Sequence, residues 1–137
     1  MRRLLLLAAA VLTTAACSPS PAAPPPAGAT PQAFADSYAL RDALTGIGVA
    51  CPDPAWIDNP VYGAADSIAC GDIVIATYTD QPTAQGHAEY LSGLVDRRID
   101  VEVVVGERWT VNCSMTGDVC RTIADRLGGS IVHIPAA

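Results

Sequence analysis

The chain has 137 residues, 8 of them basic and 14 acidic, and a formal net charge of −6. Phosphate binding needs a concentrated basic patch, so this balance argues against nucleic acid as a partner. The length suits one folded domain of about 100 residues, once an N-terminal leader and a tether are set aside.

Residues 1–16 have the parts of an export signal. Arg2 and Arg3 make a basic start, residues 4–12 are an unbroken apolar run, and small residues follow. Nine helical residues span about 14 Å, roughly half of a bilayer core, so a permanent membrane span is not expected. The sequence therefore predicts a signal peptide over residues 1–16. Its removal leaves 6 basic and 14 acidic residues, a net charge of −8.

The end of this signal resembles a bacterial lipobox, the motif before a cysteine that receives a diacylglycerol thioether. Ala15 and Ala16 match the motif, whereas Thr14 replaces its usual Leu, Val or Ile. We expect lipidation at Cys17, with acyl chains such as palmitate holding the protein to the extracytoplasmic face of the cell membrane. Thr14 and Ala16 also fit ordinary cleavage, which would release a secreted protein.

The cysteine count agrees with an anchor at Cys17. Five cysteines are present, and lipidation of one leaves four, which make two disulfides in an oxidising compartment. Of the three possible connectivities we predict Cys51–Cys70 and Cys113–Cys120, because seven residues separate the latter two across a strand end and a helix start. No C-x-x-C spacing occurs, so neither a metal site nor a redox pair is expected.

Residues 17–31 form a Pro-rich tether after the signal. Six of the fourteen residues from 18 to 31 are Pro, which excludes a helix or a sheet ladder. A polyproline II segment of this length spans about 40 Å and serves as a semi-rigid spacer. Recognition by a Pro-binding module is the alternative. The rest, 32–137, is predicted to be a single disulfide-stapled domain.

The first part of that domain pairs a helix with a loop. Apolar residues at helical spacing predict a helix over 32–47. Three prolines then indicate a loop over 52–66, which carries Trp56, Ile57 and Tyr62. Such residues either fold back to cap the core or form a partner-binding patch, so the three are a possible binding loop.

The remaining pattern predicts strands and helices in alternation. The predicted elements are strand 67–70, strand 73–78, helix 83–98, strand 101–105, strand 109–113, a helix starting at Thr116 or Asp118 and ending at Gly128, and strand 131–134. From residue 73 the order is βαββαβ, which predicts an α+β fold with a ferredoxin-like core over 73–134. That arrangement places two helices on one face of an antiparallel sheet. Helix 32–47 and strand 67–70 are additions that could cover the other face and extend an edge.

Candidate catalytic residues are few. His87 lies in a predicted helix with no His, Asp or Glu four residues later, which favours a solvated or partly packed side chain. His133 alternates in the last strand and is expected on a sheet face with a hydrogen-bond partner. No G-x-S-x-G, H-E-x-x-H, P-loop or dinucleotide-binding glycine pattern occurs, and no cofactor is expected.

Residues 104–111 read Val-Val-Gly-Glu-Arg-Trp-Thr-Val, and a helix and Leu-Gly-Gly at 127–129 follow. With the signal, the Pro/Ala tether and a Cys-Gly before a β-run, this pattern resembles small actinobacterial (mycobacterial-type) cell-envelope lipoproteins of uncharacterised function. The resemblance covers residues 1–31 and 68–131. It implies a location in the envelope and no particular activity.

We therefore expect a membrane-anchored, non-enzymatic domain that binds an envelope protein or a small ligand. The alternative is a small secreted or envelope enzyme that uses carboxylates around His87 or His133.

Overall fold

A computed structural model of the chain describes residue 30 and residues 32–60, 62–93, 100–113 and 118–136. Predictions on the signal, on Cys17 and on Thr116 lie outside these residues. The elements found within them are α1 (Ser37–Gly46), β1 (Ala55–Trp56), β2 (Asp66–Cys70), β3 (Ile73–Thr77), α2 (Gln81–Gly93), β4 (Val101–Val105), β5 (Trp109–Asn112), α3 (Val119–Leu127) and β6 (Ser130–Ile134). No helix in the described ranges is long and apolar enough to cross a bilayer.

The strands form one antiparallel sheet in the order β1-β2-β3-β5-β4-β6. The α+β class predicted from the sequence is therefore confirmed. The hairpin between β2 and β3 turns at Gly71, whose φ of +60° is a conformation that glycine adopts without steric cost. Strand β1, inside the predicted loop 52–66, was not predicted, since its two residues give no periodicity.

The ferredoxin-like arrangement predicted for 73–134 is not confirmed, because the last strand lies elsewhere. In that arrangement the last strand adds beside the first strand of the core, which here is β3. The free side of β3 is occupied by β2, its hairpin partner. Strand β6 instead pairs with β4, with Val101 opposite Ile134 and Val105 opposite Ser130.

The helices also depart from the prediction, which placed two of them on one face. Helices α1 and α3 pack on one face, and α2 packs on the other. The β3-α2-β4 connection and the β5-α3-β6 connection both run toward the β6 edge of the sheet. The two strands that the first connection joins point opposite to the two strands that the second connection joins. Right-handed crossovers then place their helices on opposite faces.

The sheet consequently has two cores. The α1/α3 face is the larger, and it holds Leu40, Leu44, Ile68, Ile75, Val104, Trp109, Val111, Ile123 and Leu127. The α2 face is built from smaller side chains, Ala76, Ala84, Ala88, Val101, Val103, Val105 and Ile134, together with Tyr78. Successive side chains of β4 point to opposite faces, so Val104 lies in the α1/α3 core and Val103 and Val105 lie in the α2 core. Strand β4 is therefore buried on both sides.

Helix α1 begins at Ser37, five residues later than the predicted helix. Asp36 is its N-cap, and the Oδ1 of Asp36 accepts a hydrogen bond from the backbone N–H of Ala39 at 2.8 Å. The preceding residues are tied to the body of the domain, because the carbonyl of Gln32 accepts a 2.6 Å hydrogen bond from the indole N–H of Trp109. This tertiary contact holds the residues before Ser37 outside the helix, although their apolar residues have helical spacing.

Two disulfides join Cys51 to Cys70 and Cys113 to Cys120, with Cα–Cα distances of 4.6 and 5.8 Å. These are the two pairs that the sequence predicts. The first links the segment after α1 to the end of β2, and the second links the end of β5 to α3. Each stabilises a domain of this size by about 2–4 kcal/mol, chiefly by restricting the unfolded chain in the usual account.

Candidate functional site

A groove of about 630 Å³ lies between helix α2 and strand β6, on the α2 face of the sheet. Helix α2 packs over the middle of the sheet through Ala84 and Ala88. Strand β6 lies beyond the middle strands as the last strand of the sheet, so a concave space is left beside the helix. The residues that line it are Gln81, Gln85, Ala88, Glu89, Val105, Ser130, Val132, His133, Ile134 and Pro135.

The groove has an apolar floor and a polar rim. Strand alternation directs Val105, Val132 and Ile134 toward the α2 face, where they join the core of that face. The rim is a stripe of helix residues at positions i, i+4 and i+8, namely Gln81, Gln85 and Glu89. An apolar floor with a few convergent polar groups is the usual composition of a ligand site.

Gln81 lies where this groove meets a second cavity of about 310 Å³. The second cavity extends toward the end of the sheet, past Gly106 and Gly129, and Thr30 lies at its edge. The side-chain carbonyl oxygen of Gln81 is buried and has no hydrogen-bond partner among the described residues. Leaving a buried acceptor unpaired costs about 1–3 kcal/mol.

A second polar feature lies deeper, between α2 and the sheet. The hydroxyl of Tyr78 is 2.7 Å from Nδ1 of His87 and 3.1 Å from Oγ1 of Thr110, and the latter two are 3.2 Å apart. All three side chains are buried, with Tyr78 4%, His87 5% and Thr110 1% exposed. A consistent assignment of the hydroxyl hydrogens has Thr110 donating to the Tyr78 oxygen and Tyr78 donating to Nδ1 of His87.

Burial sets the charge state of this cluster. Desolvation lowers the pKa of His87 below 6.5, because the charged imidazolium is disfavoured in the interior. Desolvation also raises the pKa of Tyr78 to about 12, against a smaller lowering by the Thr110 hydrogen bond. Both groups are therefore neutral near pH 7, as the hydrogen-bond scheme requires.

The burial of His87 corrects the prediction that it is a solvated or partly packed helix residue. The small side chains of this face, including Ala84 and Ala88, leave room for an imidazole against the sheet. Tyr62 lies over the same region, with its ring centroid 6.4 Å from that of His87 and 4.8 Å from that of Tyr90. A general base must reach the proton that it abstracts. Because these contacts cover His87, we interpret it as a packing residue.

The predicted binding loop does not form one site. Trp56 is 49% exposed and stacks on Tyr38 of α1, with centroids 5.9 Å apart, whereas Tyr62 stacks on Tyr90 of α2. Because α1 and α2 pack on opposite faces of the sheet, the loop passes around the β1 edge and its two aromatic side chains are separated. Ile57 is half-buried. The two rings contact helix flanks and do not cap the core.

His133 is exposed on β6, where its Nδ1 lies 3.5 Å from Oε1 of Glu102 on the paired strand. The predicted position on a sheet face is confirmed, whereas the hydrogen-bond partner stays a prediction. In the described part of the chain, no three His, Cys, Asp or Glu side chains converge well enough to hold a metal ion.

Sequence reasoning missed the groove residues. A polar stripe such as Gln81, Gln85 and Glu89 is typical of the solvated face of any helix, so the signal is present but not specific. Only the position of β6 beside α2 makes that stripe the rim of a groove.

Comparison of the chain with protein-family models, with curated proteins and with solved structures finds no match.

Proposed function

We propose that the protein is an extracytoplasmic lipoprotein of the bacterial envelope, anchored through Cys17, whose domain binds a ligand in the groove between α2 and β6. The ligand is an envelope protein or a small molecule, and the domain performs no chemistry on it. The observation that carries the binding part is the groove, with its apolar floor and the polar rim of Gln81, Gln85 and Glu89.

The anchor is supported by the sequence. The lipobox-like residues before Cys17, the Pro-rich tether after it and the four remaining cysteines all suit a tethered envelope domain. The described disulfides use those four cysteines in pairs, which leaves Cys17 outside both bonds. The same sequence features support an origin among actinobacterial-type envelope lipoproteins.

The enzymatic alternative has less support. It would need a histidine beside a carboxylate or another reactive group in contact with substrate. His87 has polar neighbours, but it is 5% exposed and both neighbours are buried hydroxyls. His133 borders the groove, but strand alternation directs its side chain and that of Glu102 to the opposite face from the groove floor.

The anchor is tested by intact-mass analysis and detergent partition of the full chain expressed in a bacterial host that processes lipoproteins. We expect a lipid adduct on Cys17 and partition into detergent, both lost in Cys17→Ser. Thr14→Leu creates a standard lipobox and is the positive control. An unmodified Cys17 in protein found only in the culture fluid would show that the chain is secreted.

The groove is tested by NMR on the soluble mature chain carrying Cys17→Ser, titrated with a set of small amphipathic molecules. We expect chemical-shift changes concentrated on α2 and β6. Gln85→Trp should abolish them by filling the groove, whereas Arg121→Trp places the same ring on the exposed side of α3 and should leave them unchanged. Changes confined to other surfaces, or none, would refute the binding part of the proposal.

A further inference from the structure

Strand β6 is the last strand of the sheet, and it borders the groove along its whole length. It has five residues, Ser-Ile-Val-His-Ile, in an uninterrupted antiparallel register with β4. The opposite border of the sheet is β1, which has only two residues. The two edges are therefore unequal, and one is long enough to take another strand.

An edge strand presents backbone N–H and C=O groups that can pair with a further strand. Proteins usually protect such edges with a lysine, a proline within the strand, a bulge or a covering segment. The β6 register has no bulge, its sequence has no lysine and its only proline follows the strand, at Pro135. Ile131 is 41% exposed, and no described strand pairs with the outer side of β6.

Side chains of an added strand would alternate between the two faces of the sheet. Those on the α2 face would lie beside Val132 and Ile134, at the open side of the groove, where apolar groups fit. Those on the other face would lie beside Glu102 and His133.

Charge indicates what kind of segment fits. Among the described residues that line the two cavities, Glu107 is an exposed carboxylate and none is an arginine. Glu102 lies on the other face of β4, toward which the alternate side chains of an added strand would point. The mature chain carries a net charge of −8, which attracts cations over a longer range. A basic segment is therefore favoured over an acidic one.

We propose that β6 takes an extended peptide as a seventh strand, with apolar side chains directed into the α2 groove and basic side chains alternating with them. This inference rests on the proposed groove function and names its ligand class. Backbone hydrogen bonds to β6 supply affinity, and the groove selects the alternate side chains.

The probe is a capped hexapeptide of alternating valine and lysine, added to the ¹⁵N-labelled mature chain carrying Cys17→Ser. We expect shifts on α2 and β6, and outward-facing amides of β6 that exchange at least about ten-fold more slowly at saturation. A second peptide, N-methylated at every other amide, keeps the side chains but cannot pair with a strand, and it should not bind. A third, with glutamate for lysine, should bind at least about ten-fold more weakly.

Two variants of the protein test the charge. Glu102→Gln should weaken binding of the basic peptide about two- to five-fold, the size expected for one partly exposed charge, because Glu102 lies on the face toward which the basic side chains point. Asp125→Asn removes the same charge from an exposed site on α3 and should change nothing. Equal weakening by both variants would indicate long-range attraction alone and would contradict recognition at β6.

The outcomes separate this inference from the proposed function. Equal binding of the N-methylated peptide, or shifts on α2 with unprotected β6 amides, would overturn strand addition while leaving a groove that binds side chains. Protection of β6 without peptide, with a dimer in sedimentation, would assign the edge to a second copy of the chain. If neither peptides nor small molecules perturb the groove, both proposals fail.

Discussion

The hydroxyl oxygen of Tyr78 and the Nδ1 of His87 lie 2.7 Å apart between helix α2 and the sheet, where both side chains are almost completely buried. The bond joins residues nine positions apart, the first just after β3 and the second within α2. It joins α2 to the sheet from within the α2 core. Because burial keeps His87 neutral, this contact is sensitive to acid.

We expect stability to fall in mild acid because of His87. Its folded-state pKa is below 6.5, so as pH falls the unfolded chain takes up the proton first. The contribution of the neutral imidazole is fully present above pH 6.5 and is lost as pH falls toward the folded-state pKa. Urea unfolding at about pH 7.5 and about pH 5 should show a smaller loss in His87→Gln than in the wild type.

His133→Gln is the matched control for that measurement, because it removes the other histidine from an exposed position on β6. The acid-induced loss of stability should persist in it. A loss that persists equally in His87→Gln would instead assign the pH dependence to carboxyl groups.

We expect Tyr78→Phe to destabilise the domain by about 1–2 kcal/mol, since it removes the hydroxyl that bridges His87 and Thr110. The single variant leaves those two residues bonded to each other at 3.2 Å. Adding Thr110→Val removes that remaining partner, so the double variant should lose about 0.5 kcal/mol or more beyond the sum of the single losses. Urea unfolding of the four proteins gives the coupling, and additive losses would show that the three groups do not act as a unit.

Local patterns predicted much of this fold and little of its site. The β-branched run of β4 and the hairpin turn at Gly71 are short-range signals, and the structure contains both. Strand β6 can add only to a strand with a free edge. Strand β2, which precedes the predicted 73–134 core, already pairs with the free edge of β3, so β6 pairs with β4. His87 is likewise buried because the residues around it are small. The spacing of residues within its own helix does not indicate this burial.

Gly106 should not tolerate a side chain, although no positive φ demands glycine there. A Cβ at this position would overlap the indole ring of Trp109, which is 0% exposed and cannot move aside. We expect Gly106→Ala to cost about 1–3 kcal/mol, as overpacking of a close-packed core does. In the matched variant Gly93→Ala, where the added Cβ meets nothing within 4 Å, stability should stay the same or rise by up to about 1 kcal/mol in thermal unfolding. Equal effects would show that the ring has room to move.

The two disulfides should contribute unequally to stability. The Cys51–Cys70 bond closes a loop of sequence separation 19, and the Cys113–Cys120 bond one of 7. If restriction of the unfolded chain dominates, the longer loop stabilises by about 0.9 kcal/mol more, within losses of about 2–4 kcal/mol for each bond. Urea unfolding of the two double-alanine variants, each carrying Cys17→Ser to prevent exchange with a third thiol, measures the difference. A larger loss from the shorter loop would mean that native packing around the Cys113–Cys120 bond outweighs chain entropy, since both of those cysteines are buried in the α1/α3 core.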